Sequence, residues 1–221
     1  MFNWFKKRKS NRESEFQSES SKTYDFKWYE IGEGNPFNKR VLDIRSYTGT
    51  MLAFTKEKKL AEKYNDMRQS NGEYLKNQQI LNSVDSIIYL KYPHNGDKLN
   101  GIIFKADSMD CKWDIYAFEN FFYFSRSWNG DLAYKAKFKI DSDSIEIIEI
   151  EHSNEIEQNI ALSDVHYLIK THAINQPIPH TIPNDLKTDI EIAQWSFAKF
   201  GNRAYYATYE NVFDTIVTLK K

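Results

Sequence analysis

Between residues 86 and 151 the sequence runs through six short segments in close succession: SIIYLKYP, KLNGIIFKAD, KWDIYAF, FFYFSRSW, DLAYKAKFKI and SIEIIEIE. They are rich in β-branched and aromatic residues, and turn-forming residues separate them. Asn95-Gly96 and Asn129-Gly130 supply the positive φ angles that a two-residue hairpin turn needs. A parallel crossover takes a dozen or more residues, so joints this short force successive strands to run antiparallel. The expected fold is therefore α+β: an antiparallel meander sheet of five or more strands with about three helices packed on it.

Three stretches outside this block carry helical periodicity. From Thr55 as N-cap, Leu60, Tyr64 and Met67 form one narrow apolar stripe that ends at Asn71-Gly72. SDVHYLIKTH reads as a short helix capped by Ser163. A last helix spans Thr188 to Phe200 and stops at Gly201. At 100° per residue its Leu186, Ile190, Ala193, Phe197 and Phe200 share a face, and Trp195 points nearly the opposite way. Residues 40–54 and the C-terminal RAYYATYENVFDTIVTL read as one or two strands each. Residues 9–22, KSNRESEFQSESSK, hold too little apolar surface to offset their ordering entropy, which divides the chain into a tail over 1–22 and a single domain over 23–221.

The stretch FFYFSRSWNGDLAYKAKF, residues 121–138, decides where a working surface could lie. With Asn129-Gly130 as a two-residue turn, one face carries Phe121, Tyr123, Ser125, Ser127, Leu132, Tyr134, Ala136 and Phe138. The other carries Phe122, Phe124, Arg126 and Trp128, fringed by Lys135 and Lys137. A second tight turn at Glu119-Asn120 brings Trp113 opposite Arg126 and Ile115 opposite Phe124 on that second face. Either a helix covers this face, with Arg126 stacked on the Trp rings, or part of it is open to a partner. Trp, Tyr and Arg are enriched at interface hot spots, so Trp113, Phe124, Arg126 and Trp128 are the candidate binding residues, with Trp195 as a second contact.

Composition narrows the partner. The net charge is −1. Residues 1–22 carry six Lys/Arg against three Glu, which leaves −4 for the rest of the chain. A mildly acidic body lacks the phosphate-neutralising charge that dominates nucleic-acid affinity, so nucleic acid is not expected. The start MFNWFKKRK combines Phe2, Trp4 and Phe5 with basic residues, which permits peripheral contact with an anionic membrane, although one such cluster is marginal. Cys111 is the single cysteine and no N-x-[ST] site occurs, which fits a reducing cytoplasm.

Signals for chemistry are weak. The phosphate-cradling loops GxxxxGK[ST] and GxGxxG, the GxSxG elbow and HExxH are all missing from the sequence. His166 and His172 project about 120° apart on a helix, so they do not form an i, i+4 ligand pair, and His172 falls on the apolar face as a satisfied core histidine. Cys111 lies between Asp110 and Lys112, whose effects on its thiol oppose each other. No metal or cofactor is expected. The reading is a non-catalytic cytoplasmic protein-binding domain, of the kind a bacterial inhibitor or immunity-type partner would be, using the aromatic and arginine face. The rival is a small hydrolase or transferase with a site assembled around Cys111 or the histidines.

Overall fold

A computed structural model describes residues 23–32 and 34–217; the N-terminal basic cluster and its membrane contact lie outside the described residues. The fold is α+β. Its main sheet holds six antiparallel strands, β3 (Ser83–Pro93), β4 (Gly101–Phe104), β5 (Trp113–Phe118), β6 (Phe121–Arg126), β7 (Leu132–Ile140) and β8 (Ser144–Ser153), in the order β3-β8-β7-β6-β5-β4. From β4 to β8 it is the expected meander. β3 departs from it, because it reaches across to pair with β8 and forms the far edge.

A second sheet has the order β1-β2-β10-β9, built from β1 (Lys27–Tyr29), β2 (Val41–Asp43), β9 (His180–Thr181) and β10 (Tyr206–Thr208), with β9 and β10 parallel. It ties the two ends of the described chain together through β2 and β10. The helices are α1 (Arg45–Thr48), α2 (Lys58–Gln69), α3 (Gln158–Leu168) and α4 (Asp189–Phe200), with a 3-10 turn at Glu73–Asn77 and a π turn at Ile169–Ala173.

α4 starts where the sequence places it. The Thr188 hydroxyl accepts from the Glu191 amide and the Glu191 carboxylate accepts from the Thr188 amide, so a full capping box closes the first turn. It ends at Gly201, with φ 75° and ψ −149°, a region essentially restricted to glycine. A Cβ there would also run into the Asp110 carbonyl. The other two helix starts move. Thr55 makes only a local turn to the Glu57 amide and α2 begins at Lys58, while Ser163 lies inside α3, which begins five residues earlier.

The hairpin turns correct the register. At Glu119-Asn120 both residues have positive φ, 52° and 66°, which is the type I′ geometry, and β5 and β6 pair as expected, with Trp113 opposite Arg126 and Ile115 opposite Phe124. At Asn129-Gly130 only the glycine has positive φ. The Arg126 amide donates to the Asp131 carbonyl and the Gly130 amide to the Arg126 carbonyl, so the connection is a four-residue loop over 127–130. Phe124 therefore faces Tyr134 rather than Lys135, and a bulge follows. A slip of one residue exchanges the two faces of β7. Tyr134, Ala136 and Phe138 turn to the Phe122 and Phe124 side, and Lys135 and Lys137 to the other.

The inner face of the main sheet, with Trp113, Ile115, Phe122, Phe124, Tyr134 and Phe138, is the core, and side chains from α3 and α4 pack on it. The outer face is divided. Over β5 and β6 it is dry, since Tyr116, Phe118 and Tyr123 close a small second cluster with Leu75 of the 3-10 turn. Over β7 and β8 it is wet, a ladder of Lys135 opposite Glu151, Lys137 opposite Glu149 and Lys139 opposite Glu146. Both faces of β6 are covered, which is why its aromatic residues do not alternate with polar ones.

Candidate functional site

The predicted aromatic face is a helix seat. Trp113 and Phe124 are 2% and 0% exposed. The C-terminal end of α4 rests on them, and the last carbonyls of a helix need donors that the helix itself lacks. Trp113 Nε1 donates to the Lys199 carbonyl at 2.7 Å, Arg126 Nη1 to the same oxygen at 2.8 Å, and Arg126 Nη2 to the Ala198 carbonyl at 3.1 Å. The Arg126 guanidinium lies 4.6 Å over the Trp113 ring. A cation at the negative end of the helix dipole adds to the same effect. The face is therefore not open at Trp113 and Phe124, and Arg126 serves α4.

Arg126→Ala is accordingly expected to destabilise the fold by about 2–4 kcal/mol, from the charge-assisted hydrogen bonds to the last carbonyls of α4 and the lost stacking on Trp113. A denaturant melt checks this. A loss below about 1 kcal/mol, the ordinary range for a surface substitution, would show that α4 seats without it.

Trp128 and Trp195 sit elsewhere. Trp128 is half-buried in the 127–130 loop, donates to the Met109 carbonyl at 2.7 Å and meets Tyr64 of α2 edge-on. Lys112 Nζ stands 4.9 Å from both the Trp128 and Phe197 rings, and burial pushes its pKa down to about 8. Trp195 does not point away from the core: it stacks on buried His180 at 6.1 Å and 24° and packs edge-on against Phe200. The buried stripe of α4 is Ile192, Ala193, Ser196 and Phe200, rotated from the expected one, so Trp195 falls at its margin.

The structure also joins residues that the sequence reading did not. Asp164 of α3, 3% exposed, accepts from the Tyr134 hydroxyl at 2.6 Å and pairs with Lys199 Nζ at 2.7 Å. Burial first, then the Asp164 charge, raises the Tyr134 pKa well above its ordinary value, so the phenol keeps its proton. Asp114 of β5 is pinned by Arg68 of α2 and accepts from the Ala106 amide at 2.8 Å. In both places the signal was a lone carboxylate within an apolar element, IALSDVHYL and WDIYAF. Buried carboxylates demand partners.

The groups considered for catalysis do not converge. Cys111 is buried, and burial raises its thiol pKa, the reverse of what a nucleophile needs. Histidines pair instead with hydroxyls: His152 with Ser86 at 2.9 Å, His166 with Tyr92 at 2.8 Å and His180 with Ser196 at 2.7 Å, every one of them buried. His172 is in the core but not satisfied, since neither ring nitrogen has a hydrogen-bond partner. Two open clefts of about 430 and 530 Å³ are lined by Arg45, Tyr205 and Tyr206 in one and by Lys98, Lys139 and Asp141 in the other, and neither reaches Cys111 or these histidines. Among the described residues no group of three or more His, Cys, Asp or Glu is placed to hold a metal ion.

Exposed apolar side chains cluster in two places, while Ile31, Ile102, Ile174, Tyr209 and Ile216 are exposed singly. Leu52 and Phe54 project from an extended strap held through the Ala53 amide by Asp110. The larger surface is β3. Its inward residues Ser86, Leu90 and Tyr92 are buried, while Ile87 and Tyr89 on its outward side are 85% and 65% exposed, and Val84 and Leu81 at its N-terminal end are exposed too. It is an eleven-residue edge strand, and no described strand pairs with its outer side. Set against known proteins, the chain matches no family model, no curated protein and no solved structure.

Proposed function

We propose that this is a non-catalytic, cytoplasmic protein-binding domain that takes up an extended segment of a protein along the outer edge of β3. One observation carries the reading. β3 presents an unpaired backbone edge together with a row of exposed apolar side chains, which is what recognition by strand addition uses: main-chain hydrogen bonds for affinity and alternate side chains for selectivity. The Leu52 and Phe54 strap belongs to neither sheet and offers no strand edge. The alternating Lys and Glu ladder beside β3 gives no continuous positive surface for nucleic acid, which supports a protein partner.

A random peptide display library is the direct probe. Enriched peptides should alternate apolar residues, and Ile87→Lys, which places a charge at the centre of the edge, should weaken them at least tenfold while stability stays within about 0.5 kcal/mol. Peptides that bind Ile87→Lys as well as the parent would remove the edge as the site.

A further inference from the structure

We infer that the segment received by β3 is β3 of a second copy of this chain, paired antiparallel about a two-fold axis through Ile88. This rests on the strand-addition reading and adds the partner to it. An edge strand can pair with many strands, and proteins block unwanted pairing with charges and proline. β3 has such blockers: Asp85 and Lys91 flank the exposed pair Ile87 and Tyr89, its pairing with β8 slips by one residue between Ile87 and Leu90, and Pro93 ends the strand. The two charges are placed symmetrically. In a self-pair centred on Ile88, Asp85 of each copy lies opposite Lys91 of the other, and Ile87 opposite Tyr89. The same two charges that obstruct an arbitrary strand are thus neutralised by the chain's own β3.

The outward row Asp85, Ile87, Tyr89, Lys91 reads as acid, aliphatic, aromatic, base, a pattern that complements itself only when reversed. Reversal is what an antiparallel two-fold pair provides, with the same patch used on both sides. An aliphatic opposite an aromatic and opposite charges face to face are both favourable cross-strand pairs. Centring the axis one residue earlier, on Ile87, would set Asp85 against Tyr89 and Lys91 against Ser83, so neither charge would meet its opposite on the other copy. Lys91 and the Tyr89 hydroxyl already meet Glu146 of β8, at 3.2 and 2.7 Å, so their side chains are held on this face before a copy arrives. Two six-stranded sheets would join into one of twelve.

Sedimentation analysis of the full chain tests this with a charge swap. The wild type should show a concentration-dependent monomer–dimer equilibrium. Asp85→Lys alone and Lys91→Asp alone should each weaken association at least tenfold, because every 85–91 contact then sets like charges together. An equimolar mixture of the two variants should restore it, since in the mixed pair both contacts are again Lys against Asp. Lys91→Asp also removes the contact with Glu146, and recovery in the mixture shows that this internal change is not the cause.

A wild type that stays monomeric at its highest soluble concentration, a dimer indifferent to either variant, or a mixture that does not recover would each overturn self-pairing. A monomer that still binds display peptides in an Ile87-dependent way would remove only the second copy and keep strand addition. Loss of that Ile87 dependence would remove strand addition itself.

Discussion

Asp164→Ala is expected to destabilise the protein by about 3–5 kcal/mol, the range seen when one partner of a buried ion pair is removed. The carboxylate accepts from the Tyr134 hydroxyl and is the ion-pair partner of Lys199. Without it an ammonium and a phenol are left unpaired between α3, α4 and β7. At this chain length the loss corresponds to a melting temperature lower by about 6–20 °C. Asp164→Asn, which can still accept from Tyr134, should fall between the two. If Asp164→Ala melts within about 1 kcal/mol of the parent, water has replaced the carboxylate and the α3–α4 contact does not depend on it.

Acid should unfold the protein well above the range of its carboxylates. Burial lowers His166 to about 4 and His172 and His180 to about 3, with Lys170, Arg203 and Lys199 respectively adding repulsion. The unfolded chain binds a proton at each near pH 6.5 while the folded chain does not. Their contribution is thus fully present above pH 6.5 and is lost as pH falls toward 4 and then 3. Each group gives up about 1.4 kcal/mol per pH unit, so three together drain a stability of about 5–15 kcal/mol within a few pH units. The expected midpoint is near pH 5, followed by circular dichroism. His172→Phe should move it toward lower pH, because it removes one of the three titrations and two unpartnered ring nitrogens without giving up the edge-on contacts to Phe104 and Tyr167. A midpoint below pH 3 would mean that the histidines are protonated within the fold at little cost.

Much of the architecture was legible before any coordinates. The meander followed from strand composition and short joints, and α4 from Thr188, Glu191 and Gly201, because capping chemistry is local. The β5–β6 register was legible for the same reason: a two-residue turn leaves no freedom. The β6–β7 register was not, since Asn-Gly serves a two-residue turn and the end of a four-residue loop equally well, and what selects the longer loop is tertiary. Gly130 packs against Met67 and Tyr74, neighbours that no local rule names. Arg126 shows the same limit at the site. Its position between Trp113 and Trp128 was readable, but whether the group beyond it is a partner or the last turn of α4 depends on where a helix seventy residues later comes to rest. β3 was read as the first strand of a meander, and its exposed edge comes only from its pairing with β8.

That pairing sets an order of events during synthesis. Ile87 faces Glu149, about 60 residues later in the chain, whereas β4 to β8 each meet a neighbour through a short loop. Loop closure over such a span is slower and entropically less favourable than hairpin formation, so the local meander can assemble while β3 is still unattached. At 5–20 residues per second β3 leaves the ribosome several seconds before its partner strand exists. For that interval an apolar strand waits with both edges free, and Asp85, Lys91 and Pro93 are the residues that keep a nascent chain from joining the wrong sheet.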